Sequence, residues 1–338
     1  MIETRLTRMF GLQYPIVLAP MGGVSGGRLA AAVSNAGGLG LVGGGYGDAA
    51  WLRHELARVK KETAQPWGVG FITWSVDRSL VELALQYQPH ALMLSFGDPK
   101  PYADLVRSSG CKLICQVQDL QGACIAQEAG ADLIVAQGSE AGGHGASRAA
   151  LPLVPAVVDA VAPTPVLAAG GIADGRGLAA ALMLGAQGAL IGTRFYASVE
   201  ALGPDLAKQR IVQARGDQTA RTRVFDIVRK LGWPQANTGR ALRNRFLERW
   251  DGRESELAAA LGEEQAAYSS AARDADFDTA VVWAGEGVDL IKDVERAATL
   301  VARIGAEASV QLSSGFRMVM GGTGTPARAA SSNAQQTS

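Results

Sequence analysis

Short apolar runs recur along this chain, separated by stretches long enough for one helix each. PIVLAP begins at Pro15, GLGLVGG at Gly38, WGVGFIT at Trp67 and HALMLSF at His90; KLICQVQ follows from Lys112, DLIVAQG from Asp132, PVLAAGG from Pro165 and GALIGT from Gly188. Each run is apolar on both faces rather than alternating, the pattern of parallel strands covered on both sides. The segments between them, such as GRLAAAVSNAG, AAWLRHELARVKKE and DGRGLAAALMLGA, have helical periodicity, and many stop at glycine. Strand-helix units of about 20 to 35 residues, repeated eight times, predict an α/β fold, a (β/α)8 TIM barrel, over residues 1–210. A doubly wound open sheet is the competing arrangement.

After about Arg210 the pattern changes. FDIVRK, RALRNRFLERW, RESELAAALGEEQAAYSSAA and VDLIKDVERAATLVARIGAEA read as helices, and no further strand run appears. Residues 211–320 are therefore expected to form a helical cap or extension that also supplies the barrel's last helix. The small, polar tail over 321–338 has no apolar periodicity and is expected to be disordered.

Composition narrows the function classes. The 338 residues carry 32 basic and 32 acidic side chains, so no net charge draws the chain to nucleic acid or to an anionic membrane. A small-molecule substrate is the expected partner, and the composition leaves room for a homo-oligomer. The three cysteines, Cys111, Cys115 and Cys124, are odd in number and have no histidine or acidic cluster at ligand spacing, so neither a disulfide framework nor a metal site is expected. With no signal-like N-terminal run and no apolar stretch of spanning length, a cytoplasmic protein is expected.

Three motifs invite misreading. Gly38, Gly40 and Gly43 spell G-x-G-x-x-G, but they lie inside the apolar run instead of after it, and no acidic residue ends a following strand. Gly23, Ser25 and Gly27 spell the G-x-S-x-G of a serine hydrolase, yet this serine follows the first strand rather than a later one. Arg240, Arg243, Arg245 and Arg249 are interleaved with Glu248, Asp251 and Glu254, which reads as a solvated helix face and not as a polyanion site.

Ligands of such barrels bind at the C-terminal strand ends, with phosphates often held after the seventh and eighth strands. Here those strands finish in Ala169-Gly170-Gly171 and Gly192-Thr193, glycine turns whose N–H groups can cradle a phosphate. The first strand ends in Ala19-Pro20-Met21-Gly22, small and apolar, suited to lie against a flat ring. Gln116, Gln118 and Gln137 offer amides to a heterocycle of mixed polar edges. A phosphate at one side and a polar-edged ring at the centre describe FMN.

The segments PIVLAPM, NAGGLGLVGGG, GSEAGGHGA, VLAAGGIADGRGLAAALMLGAQGALIGTRF and WAGEGVDLI together resemble the nitronate monooxygenase family over about residues 1 to 310. The broader flavin group that shares the EAGGH and AAGGIADG segments also contains flavin-dependent enoyl-acyl-carrier-protein reductases and NADH:quinone reductases. The resemblance implies FMN held by Pro20, Met21, Gly22, Gln116, Gln137, Gly143, Ala169, Gly170, Gly171, Gly192 and Thr193, with His144 facing it as the catalytic residue. Two positions depart from some members: Gly70-Phe71-Ile72-Thr73 stands where asparagine or threonine ends the third strand, and Gln116 where lysine ends the fifth.

His144 lies among glycines, as expected of an imidazole that must approach a flat cofactor and a small substrate. Histidine exchanges protons near neutral pH, so His144 is the expected base toward a nitroalkane, or the group that orients a nitronate, with O2 as co-substrate and a carbonyl compound and nitrite as products. In an NAD(P)H-dependent reductase of an enoyl thioester or quinone, the same residue would donate a proton. His54, in a charged helix, and His90, before a strand, have the weaker claim.

Overall fold

A computed structural model describes residues 2–320; the expectation for the tail over 321–338 falls outside the described residues. The apolar runs form strands β1 (Ile16–Leu18), β2 (Gly40–Gly43), β3 (Trp67–Ile72), β4 (Ala91–Ser95), β5 (Lys112–Val117) and β6 (Leu133–Gln137). After a short strand β7 (Gly143–Gly145) come β8 (Val166–Ala169) and β9 (Ala189–Ile191), and further on β10 (Thr219–Thr222) and β11 (Thr238–Leu242). An eight-stranded parallel sheet runs β1-β9-β8-β6-β5-β4-β3-β2. Its ends meet where Leu18 N donates to Leu39 O and Leu39 N to Ile16 O, both at 2.9 Å, which closes the TIM barrel.

Because successive strand residues face opposite sides, the continuous apolar runs serve two cores. One set, including Val17, Leu41, Met93, Ile114, Val135, Leu167 and Leu190, packs together inside the barrel, with Leu6 and Phe10 of the N-terminal helix Arg5–Phe10 joining it as a plug. The alternate set, including Ile16, Leu18, Val69, Leu94 and Ile134, packs outward against the helices.

Seven helices follow seven of the strands in turn, from Gly27–Asn35 to Gly175–Met183. The eighth is Ala297–Met320, which packs between those two helices and buries Leu300, Val301 and Ile304 in the same outer core. The barrel's last helix is thus drawn from the C-terminal region.

Helices alone do not account for the rest of that region. Strands β10, β11 and β7 form a three-stranded antiparallel sheet in which His144 pairs with Gly239. TART and TGRAL alternate polar with small residues and contain no apolar run, so strand patterning could not reveal them. Arg240 accordingly lies on β11 and not on a solvated helix face; it is buried, bonds the Ser139 carbonyl and pairs with Glu286 at 2.7 Å. Arg245 and Arg249 do lie on an exposed helix, Arg245–Trp250.

The serine and glycine motifs have structural roles. Ser25 is fully buried and donates to the Ala19 carbonyl at 2.8 Å. A Cβ at Gly40 would come within 1.9 Å of the Ala30 carbonyl oxygen, so that glycine lets a helix lie on a strand.

Gly175 tests whether the last helix belongs to the barrel. A Cβ there would lie 2.2 Å from Glu307 Cβ and 2.4 Å from the Ala308 nitrogen. Gly175→Ala is expected to lower stability by about 1–3 kcal/mol, read as a lower urea midpoint; an unchanged midpoint would show that this packing contributes nothing.

Candidate functional site

At the C-terminal ends of the barrel strands lies a cavity of about 400 Å3, a size typical of small-molecule sites. The residues that the resemblance assigns to the cofactor, and His144, line it; Gln118, whose amide was also expected to face a heterocycle, does not. Pro20, Met21 and Gly22 come from the loop after β1, Gln116 from β5, Gln137 from β6, and Gly143 and His144 from β7. Ala169, Gly170 and Gly171 come from the end of β8, and Gly192 and Thr193 follow β9.

The far end of the cavity is built for an anion. Gly170 and Gly171 have φ of +105° and +70°, a backbone that L side chains resist. The N–H groups of Gly171, Gly192 and Thr193 donate to no other protein group among the described residues. The Thr193 hydroxyl accepts from Gly285 N at 3.0 Å, tying this turn to the WAGEG segment. Arg194 takes no part: its guanidinium is buried and held by Asp293 and the Ala197 carbonyl.

The middle of the cavity has an apolar wall of Ala19, Pro20, Met93 and Leu190. Gly70 keeps it open, since a Cβ there would meet Pro20 Cγ at 2.3 Å. The amides form a relay. Gln116 Nε2 and Gln118 Nε2 donate to Gln137 Oε1 at 3.3 and 2.9 Å, and Gln137 Nε2 donates to the His144 carbonyl at 3.0 Å. Gln137 therefore anchors the histidine strand, with one N–H uncommitted, while Gln118 stands behind the wall. A phosphate-sized nest, a small-residue floor and amide edges together fit a flavin mononucleotide.

His144 is packed more tightly than its glycine neighbours imply. Its ring stacks on Trp233 with centroids 3.5 Å apart and planes 3° from parallel, and Trp283 lies at 5.1 Å. Two nearby glycines admit indole and backbone: a Cβ at Gly239 would meet the Trp283 ring at 2.4 Å, and one at Gly142 would meet Gly285 N at 2.6 Å, while Gly143 faces open space. Nε2 of His144 lies 2.9 Å from both carboxylate oxygens of Asp226 on the helix Val224–Val228. With an ionised Asp226 those contacts require the proton on Nε2, which leaves Nδ1 with the lone pair.

Burial lowers the pKa of His144 below its ordinary value of 6.5, with Arg229 and Arg221 acting in the same direction, against the upward pull of the Asp226 carboxylate. The imidazole is thus neutral at neutral pH. Arg221 buckles the support together: it donates to the Gly145, Thr238 and Ser139 carbonyls and to the Thr238 hydroxyl. Burial lowers its own pKa to about 10, which still leaves it charged at neutral pH.

Sequence reasoning did not identify Asp226, Arg229 or Trp233 as site residues. Asp226 is an acid in the middle of an apolar helical turn, Val224–Val228, a placement that itself signals a buried partner. Trp233, in the loop after that turn, carried no comparable signal. Among the described residues no group of histidine, cysteine or acidic side chains could hold a metal ion. No helix there is long and apolar enough to cross a membrane. Burial pushes Cys111 and Cys115 up to about 12, which leaves both thiols inert.

The nitronate monooxygenase family model matches residues 3–75 and 71–307. A probable nitronate monooxygenase of Staphylococcus aureus is 31% identical over 293 residues, covering 73% of this chain and 80% of that protein. The (3aS,4S,5R,7aS)-5-hydroxy-7a-methyl-1-oxo-octahydro-1H-indene-4-carboxyl-CoA dehydrogenase of Mycobacterium tuberculosis is 36% identical over 228 residues. That match covers 67% of this chain and spans 64% of the relative's length. The structure of FabK from Thermotoga maritima superposes with a TM-score of 0.83 at 32% identity, covering 94% of this chain and all of that one (100%). A barrel with a cavity at its strand ends and a buried histidine on the cavity wall agrees with the sequence relationships: the chain belongs to the nitronate monooxygenase family and is a flavin-dependent oxidoreductase.

Proposed function

We propose that the protein is an FMN-dependent monooxygenase that oxidises alkyl nitronates, and nitroalkanes through them, to a carbonyl compound and nitrite. The observation that carries this reading is the His144–Asp226 pair, 2.9 Å apart on the wall of the same cavity as the glycine turns. Gly171, Gly192 and Thr193 would hold the phosphate, with Gly170 and Ala169 behind them. Pro20, Met21, Gly22 and Gly143 would bound the ring, with Gln116 and Gln137 at its polar edge. Bound there, FMN supplies the electron acceptor and the reactivity toward O2.

His144 handles the proton. As a neutral imidazole it accepts the α-proton of a nitroalkane at Nδ1, while Asp226 fixes the tautomer and stabilises the imidazolium that forms. A nitronate arrives already deprotonated and needs no base. Trp233 covers one imidazole face and excludes water from it. Substrate must approach the ring edge, or the loop carrying Trp233 must swing aside.

A second reading has support of its own: the similarity to a CoA-thioester dehydrogenase and to FabK favours an NAD(P)H-dependent FMN reductase, in which His144 donates a proton to the reduced substrate.

His144→Ala is expected to keep the flavin absorbance and to lose about 10²–10⁴-fold in turnover; undiminished turnover would remove the histidine from the mechanism. A base must be deprotonated, so activity falls as pH drops through the His144 pKa, and the acid limb of kcat/KM should lie below 6.5. Asp226→Asn removes the charge that raises that pKa. The limb should then move to lower pH while the plateau falls; a limb at or above 6.5 would contradict this electrostatic account. Under anaerobic conditions NADH or NADPH should leave the flavin band oxidised, whereas rapid bleaching would favour the reductase reading.

A further inference from the structure

Arg229 is the only formally charged side chain on the cavity wall among the described residues. It caps the helix whose Asp226 faces His144, one turn further along. Asp226 makes no ion pair with it among the described residues; the close contact of that carboxylate is with the His144 Nε2. No ion pair to Arg229 exists among the described residues; its Nη1 is covered by protein and has no hydrogen-bond partner there, so an anion in the cavity would be met by the rest of the fork. The guanidinium lies 5.9 Å from the centre of the Tyr46 ring, in a setting of Tyr46, Trp233 and Phe96. A cation facing aromatic walls is only partly compensated by their π-faces, and buried N–H groups almost always have acceptors.

We propose that Arg229 recognises the substrate through a planar two-oxygen anion, a nitronate or a carboxylate, and holds that anion beside His144. The fork of a guanidinium matches two coplanar oxygens, which a point-like ammonium does not. The rest of the wall is neutral and largely apolar or glycine, so the anion has one cation to go to and its carbon substituents have the aromatic side. A nitronate meets both demands, since its charge sits on the two nitro oxygens. The inference deepens the nitronate reading, on which it rests only for taking this cavity as the substrate site.

Benzoate and benzamide differ in charge and hardly in shape. Titrating each into the flavin-loaded protein, followed by flavin absorbance and tryptophan fluorescence, should show benzoate binding at least tenfold more tightly. Arg229→Gln should remove that preference while keeping the flavin, and Arg229→Lys should restore part of it. With propane-2-nitronate, Arg229→Gln should raise KM at least tenfold and change kcat less than threefold. Equal binding of the two probes by the unaltered protein overturns the assignment, as does benzoate affinity unaffected by Arg229→Gln. A folded Arg229→Gln protein that no longer retains flavin also overturns it, since the cation would then serve the cofactor. A protein that binds benzoate through Arg229 but oxidises no nitronate would reject the nitronate reading and keep this one.

Discussion

The arrangement of the site depends on a single contact across the molecule, the hydrogen bond from the His144 ring to Asp226, residues 82 positions apart in the chain. His144 belongs to a loop after β6, and Asp226 to the excursion that follows the barrel's last strand. Neither element could hold its polar group buried alone: an uncompensated carboxylate inside a protein is strongly destabilising, and an unanchored imidazole has no fixed tautomer. Pairing them locks the excursion onto the strand ends and sets the proton position in one interaction. The supporting parts serve this contact: the three-stranded sheet of β7, β10 and β11, the Arg221 buckle beneath it and the Gln137 anchor on the His144 carbonyl.

The cavity divides its labour by backbone and side chain. On the barrel side the work is done almost entirely by glycine turns, small residues and amides, features that accept a large planar cofactor without competing for its space. On the excursion side, bulky groups do it: Trp233, Trp283, Arg229 and the carboxylate behind the histidine. Tyr46, from the loop after β2, joins the second group, accepting a hydrogen bond from Trp233 Nε1 at 2.9 Å. Burial raises its pKa, so it remains a neutral phenol beside the Arg229 cation. Under the proposed function, cofactor affinity and substrate choice would fall to different segments of the chain, so that one could change while the other is kept.

The two halves were not equally legible. β1 to β6, β8 and β9 are buried on both faces, so their composition announces them, and most of the residues that line the cavity at their ends could be read off in order. Gly170 and Gly171 could be recognised because a left-handed turn leaves little choice of residue. Trp233 had no comparable signature, and the place of Asp226 in an apolar turn signals a buried partner without saying which, since that partner lies far away in sequence. β10 and β11 are too short and too polar to show a period, and Arg240 looked solvated because its carbonyl partners come from a distant loop. The glycines around His144 differ in what they admit: Gly142 makes room for the Ala284–Gly285 backbone, whereas Gly143 faces open space on the cavity wall.

The separation of the last barrel strand from the last barrel helix has a further consequence. Between Ile191 and Ala297 lie roughly a hundred residues, and the helix Ala297–Met320 covers the seam between the first and seventh helices. During synthesis, the strands emerge long before the element that seals them, leaving their outer apolar edge uncovered until most of the chain has been made. A truncated product would therefore present neither a sealed barrel nor the excursion's side of the cavity.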